Sequence, residues 1–274
     1  MPRKTPNLFC CTLLASFLPL SAYPEPPLRD PAVPSYSTST APIANLPSVE
    51  LQIRSGSNRS RQKAVLTLGQ VDHPMADKIL LTLLRQLEDG KLPSFLWLEV
   101  LEAAATKTDP EVSSRLTQIR RQNHEDPVRN YLECLEGGSA YRGEDIFLEE
   151  AACATCHSFR GKGGHVGPDL TGIGGTLERI YILQSIVDPN AVTAPGFQNV
   201  LLHLQNGSDL SGILKSEDSE SLKICVPPDG TVHTVPVEKV LSRTPLPSAM
   251  PPGLADVLGR RKLRDLIEFL AAPR

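Results

Sequence analysis

The pentad Cys153-Ala154-Thr155-Cys156-His157 constrains this chain more than any other stretch. On one helical turn, two thiols at this spacing can each add to a vinyl group of a haem. The adjoining imidazole then lies under the ring and faces the iron. This is the c-type haem attachment pattern. Two other readings compete. A thioredoxin-like redox pair needs a strand before it and a βαβ setting, whereas the residues ahead of Cys153 have a helical period. Half of a structural zinc site needs two further ligands at suitable spacing, and the sequence has no second Cys pair of this kind. The pentad occurs once, so the expectation is one covalent haem c on Cys153 and Cys156 with His157 on the iron.

A sixth ligand is sought next. Met250 stands in Ser248-Ala249-Met250-Pro251-Pro252. A residue before proline is pushed into an extended conformation, which can hold a thioether out toward a metal. A thioether opposite His raises the reduction potential and suits electron transfer. The plainer reading is that Met250 fills the core. His165 is the rival ligand, but it follows His157 closely and stays near the proximal side. Met75 and Trp97 fall on apolar helix faces, and His73, His124, His203 and His233 read as surface or structural residues. In Gly167-Pro168-Asp169-Leu170, the Pro168 carbonyl is free to accept the Nδ1–H of His157 and fix its tautomer; an ordinary turn is the alternative.

Arg3 and Lys4 precede an apolar run from Leu8 to Leu20, followed by the small residues Ser21 and Ala22. The run is too short to span a bilayer in the mature chain, so residues 1–22 read as a signal peptide; an uncleaved anchor is the alternative. No other stretch is apolar enough for a span. Cys10 and Cys11 fall within the signal, which leaves Cys134 and Cys225 outside the pentad, either as a disulfide or as free thiols. Residues 23–60 read as a Pro/Ser-rich linker.

Residues 61–135 read as short helices. Ile79, Leu80, Leu83, Leu84 and Leu87 form one stripe, Phe95, Leu98, Leu101 and Ala105 a second with Ser94 as cap, and Val112, Leu116 and Ile119 a third. They suggest an α-hairpin segment of HEAT-like character. From 136 to 274 a haem domain is expected. It would have a helix over 141–157 and a Gly-rich loop from Gly161 to Gly175. Thr176 would cap a further helix that Pro189 closes, and the last helix would run from about Arg260 to Ala271. Between these helices the period becomes two, and Asn206-Gly207 and Asp229-Gly230 signal hairpins. That places a small antiparallel β insertion at about 197–237. The fold class is therefore mainly α.

Gly143-x-x-Ile146-Phe147, the pentad, Gly-Pro-Asp-Leu, the late Met-Pro and the closing helix together resemble a class I cytochrome c. Ser185-Ile186-Val187-Asp188-Pro189-Asn190, Ala194-Pro195-Gly196-Phe197-Gln198, Ser248-Ala249-Met250-Pro251 and Leu263-Arg264-Asp265-Leu266 are more similar still to one group. This is the haem-binding domain at the C-terminus of large exported proteins of planctomycetes and verrucomicrobia. The resemblance covers about residues 127–272. It implies haem c on Cys153 and Cys156, with His157 and Met250 as axial ligands. Some relatives carry a dehydrogenase-like propeller; none fits ahead of residue 61, so that activity is not carried over.

The formal net charge of -3 argues against nucleic acid or an anionic membrane surface as the main partner. The function expected is a monohaem electron carrier or electron-accepting module, exported to the periplasm or cell envelope. Its partner would be a redox protein such as a periplasmic dehydrogenase. An open-site haem oxidoreductase and a partner-binding helical module with an accessory haem are the alternatives. Arg260-Arg261-Lys262 either docks an acidic partner or forms a solvated helix start.

Overall fold

The computed structural model describes residues 45–272. The expected signal peptide, and the expected linker as far as residue 44, lie outside the described residues. The rest of that linker is corrected. It forms helix α1 (Leu46–Ser55) and the start of α2 (Asn58–Gln70). Leu46 and Ile53 are buried and Val49 packs beside them, a one-faced stripe diluted by polar neighbours. Ser57 caps α2 by accepting the Ser60 amide at 3.3 Å.

Three more helices complete this layer: α3 (Pro74–Glu88), α4 (Trp97–Ala105) and α5 (Pro110–Asn123). Asp109 caps α5, its carboxylate accepting the Glu111 and Val112 amides at 3.0 Å each. Pro110 occupies the first turn, where a missing N–H costs nothing. Leu68, Leu80, Leu84 and Leu96 are fully buried between the helices. Ser94 does not cap α4; its hydroxyl donates to the Glu136 carboxylate, and a short 3-10 turn over Ser94–Leu96 leads into the helix. Met75, expected on an apolar face, is 45% exposed. Trp97 is half-buried and donates its indole N–H to the Leu92 carbonyl at 2.8 Å.

A second core collects α6 (Ala140–Asp145), α7 (Cys153–Cys156), α8 (Arg179–Val187) and α9 (Leu254–Ala271). Three buried rings lie at its centre. Phe159 is 4.6 Å from Phe269 between centroids, and Phe147 is 5.6 Å from Phe269. α6 crosses α9 at Gly143, where a side chain has no room: a Cβ there would lie 2.0 Å from the Asp265 carbonyl oxygen. α9 breaks at Gly259, whose φ of 69° and ψ of 163° are not helical. Its long second part starts at Arg260, as expected.

That second part is tied to its surroundings by charge. Arg264 is buried and donates to both Glu99 oxygens, at 2.8 and 3.0 Å. Asp265 accepts the Ser139 amide and the Arg142 Nε, both at 2.7 Å. The basic run is paired within the chain: Arg260 with Glu133 and Arg261 with Glu102, both arginines half-buried, and Lys262 with Glu150 on the exposed surface. Burial pushes the Glu102 and Glu133 carboxyls up, and their arginine partners oppose the shift.

The β insertion is larger than expected. It has five antiparallel strands, β3 (Asn199–Leu204), β4 (Asp209–Glu217), β5 (Ser221–Val226), β6 (Thr231–Pro236) and β7 (Val240–Pro245). Their order across the sheet is β6-β5-β4-β3-β7. β7 escapes sequence reading because it is an edge strand, mostly exposed, with no apolar alternation. The two hairpin turns fall where expected, with Gly207 at φ 81° and Gly230 at φ 75°. Val200, Leu202, Leu222, Ile224 and Val235 form the sheet's own apolar cluster. A two-stranded ribbon, β1 (Ser158–Phe159) with β2 (Lys162–Gly163), follows the pentad. Among the described residues, no helix is long and apolar enough to cross a membrane.

Candidate haem-attachment site

The helix expected over 141–157 is interrupted, and the interruption shapes the site. After Asp145 the chain widens into a π-turn over Ile146–Glu150, closed by the Ala151 amide on the Ile146 carbonyl at 2.9 Å. Such turns gather at functional sites. Ala152 then adopts a left-handed φ of 51°, and α7 starts afresh as a single turn carrying both thiols. The His157 amide bonds the Cys153 carbonyl at 2.9 Å, and His157 itself leaves the helix in an extended conformation. Buried Ser158 and Phe159 anchor the chain directly beyond it.

The chain then folds back over the pentad. Gly164 donates its amide to the Ala154 carbonyl and Gly167 to the Cys156 carbonyl, both at 2.8 Å. His157 Nδ1 lies 2.9 Å from the Pro168 carbonyl oxygen. Only a ring N–H can donate to that oxygen, so the tautomer is set with Nε2 carrying the free lone pair. Burial lowers the imidazole's pKa, the bond to Pro168 opposes this, and the nearby Lys215 ammonium lowers it further. A neutral imidazole is the form that ligates a metal.

Cys153 and Cys156 are both free thiols. Burial pushes the Cys153 thiol up to about 11, and burial followed by the neighbouring Cys225 raises Cys156. A thioredoxin-type pair needs the opposite shift. Among the described residues, no group of three or more His, Cys, Asp and Glu is placed to hold a metal ion. Cys134 and Cys225 are also free and lie in different apolar clusters. Cys134 donates to the Arg260 carbonyl, while Cys225 packs with Val166 and Ile213 against Cys156.

Met250 is half-buried against the apolar cluster that also takes Cys153, Ala154, Leu170 and Leu254. Its amide donates to the Ser248 hydroxyl at 3.2 Å, and the Ser248 amide donates to Asn190 Oδ1 at 2.8 Å. Asn199 Nδ2 holds the Pro247 carbonyl at 2.8 Å. Asn190 and Asn199 thus fix the Met250 loop, a role the sequence did not reveal, although Asn190 lies within a segment carrying the resemblance. His165 is exposed. Thr176 does not cap α8; Glu178 occupies that position, and the Thr176 hydroxyl bonds back to the Ile173 carbonyl.

These residues fit a covalently held haem. Two free thiols share one turn, one imidazole has its tautomer fixed, and a backbone cradle lies against that ring with no side chain in the way. The cradle is Gly167, where a Cβ would come 2.7 Å from His157 Nδ1 and Cε1. Gly167→Ala is therefore expected to turn the ring off Pro168. The thioethers would still form, but absorption spectroscopy of the haem-loaded protein should show a raised high-spin fraction. A spectrum matching wild type would contradict this account of the cradle.

Residues 140–220 match the family model for Cytochrome c. No curated protein matches the chain. The family match takes in α6, the pentad, α8 and the first two strands of the large sheet, and it supports a cytochrome c-like module across those residues. That class suggests haem-binding electron transfer, implies covalently bound haem c, and is typically extracytoplasmic.

Proposed function

We propose that this chain is a monohaem c-type cytochrome that passes single electrons to and from a redox protein, such as an exported dehydrogenase, in the periplasm or cell envelope. Cys153 and Cys156 would hold the haem as thioethers, and His157 and Met250 would be the ligands to its iron. The observation that carries the reading is the 2.9 Å bond between His157 Nδ1 and the Pro168 carbonyl, on the residue that completes the attachment pentad. The haem supplies a one-electron couple whose potential the protein sets through ligands and burial. His157 presents Nε2 with no proton to lose. The Met250 loop, pinned by Asn190 and Asn199, presents a soft sulfur. With His157 and Met250 both on the iron, no position would be left for substrate, which favours a carrier over an open-site oxidoreductase. Helices α1–α5 are read as a HEAT-like cap behind the module.

Haem staining of the denatured, exported protein tests the reading, because only a covalent haem survives that treatment. Coloured protein is expected from wild type, and none from Cys153→Ala/Cys156→Ala. The oxidised protein should show the weak absorption band of thioether ligation, and Met250→Ala should abolish it. If the band persists in that variant, Met250 is not the ligand.

A further inference from the structure

The large sheet holds neither cysteine of the pentad and none of the proposed iron ligands, yet one of its side chains reaches the loop behind His157. β4 and β5 pair Leu214 with Ile224 and then Ser216 with Lys223. The ladder thus advances two residues on β4 for one on β5, and Lys215 is the extra residue of a bulge. Bulges re-aim side chains and recur beside functional sites. From this bulge Lys215 Nζ donates to the His165 carbonyl at 2.9 Å and the Val166 carbonyl at 2.8 Å. The ammonium lies 4.0 Å from the centre of the Phe197 ring, a further favourable cation contact. Beside it, Val166, Ile213 and Cys225 form a small buried cluster, with Cys156 and Phe197 packed on it.

The two carbonyls that Lys215 holds belong to the segment whose Gly164 and Gly167 amides cover the pentad and whose Pro168 carbonyl holds His157. A cation from the sheet therefore grips the strap that orients the iron ligand. Resting on the haem reading above, we propose that Lys215 is a positioning residue that pins residues 163–168 and raises the reduction potential by holding a positive charge beside His157. The sign follows from Coulomb's law: a fixed cation favours the state with one more electron. Groups behind an axial histidine are known levers on a metal's electronics. On this account the β insertion buttresses and tunes the site.

The test compares the full exported chain with Lys215→Met, which keeps an apolar stem and loses the charge, and Lys215→Arg, which keeps the charge. In spectroelectrochemical titration, Lys215→Met should lower the equilibrium constant for reduction by about threefold to tenfold, tenfold being about 59 mV for one electron. Lys215→Arg should stay within about twofold of wild type. An unshifted potential in Lys215→Met, or equal shifts in both variants, overturns the proposal. Should Lys215→Met fail to retain haem, amide exchange in haem-free protein decides. Faster exchange at Gly164 and Gly167 in Lys215→Met, restored by Lys215→Arg, supports the pin; equal rates refute it. A colourless wild-type chain sinks the haem reading instead, and the exchange comparison still judges the pin.

Discussion

Gly143→Ala is expected to destabilise the protein by more than about 3 kcal/mol, the upper range for overpacking a filled interior. The sign is informative, because in an exposed helix the same change gains about 1 kcal/mol of helix propensity. Here the new Cβ would lie 2.0 Å from the Asp265 carbonyl oxygen and 2.6 Å from Phe269 Cβ. The first of these atoms is backbone and cannot rotate away. α6 would have to lift off α9, taking with it Ile146 and Phe147 just ahead of the attachment turn. Urea unfolding of the two proteins measures the cost. Gly175→Ala is the control: a Cβ there meets nothing within 4 Å, and a change within about 0.5 kcal/mol is expected. A Gly143→Ala protein as stable as wild type would show that the two helices do not depend on this close approach.

The turn that carries both thiols, the histidine after it and that histidine's carbonyl partner were legible in the sequence because they are local. Cys153 and Cys156 share one turn, His157 is the next residue, and Pro168 follows within the same loop. The helical stripes were legible for the same reason: Leu80, Leu83 and Leu84 are neighbours on one face whatever else is present. What escaped was set by distant partners. Lys215 lies in a strand and reads as a solvated lysine until the bulge aims it at the carbonyls of His165 and Val166. Asn190 and Asn199 acquire their role only when the Met250 loop returns to them. The helix break at Ala152 was hidden because alanine is the best helix former, and tertiary closure around the pentad overrides that preference. Arg260 and Arg261 looked like surface charge because their carboxylate partners lie far away in sequence.

The segment Leu263-Arg264-Asp265-Leu266 shows how four adjacent residues serve three neighbours. Leu263 and Leu266 face the aromatic core, Asp265 holds the start of α6, and Arg264 faces the other way, into the helical layer. Glu99→Ala is expected to cost about 3–5 kcal/mol, because it strands a buried guanidinium without its partner. The Arg264 side chain retains only 4% of its exposure and Glu99 only 2%, so water cannot replace the lost carboxylate. The net worth of the pair is a separate quantity. Desolvating two charges offsets most of their attraction, and apolar residues of similar volume often serve as well. Glu99→Leu/Arg264→Met should therefore be far closer to wild type than Glu99→Ala. A double-mutant cycle by chemical denaturation separates the two quantities. Independent, additive losses would mean that this buried pair does not fix the layer to α9. A strong coupling would mean that the helical layer is fixed to the helix against which the attachment turn is built, so that loosening one disturbs the other.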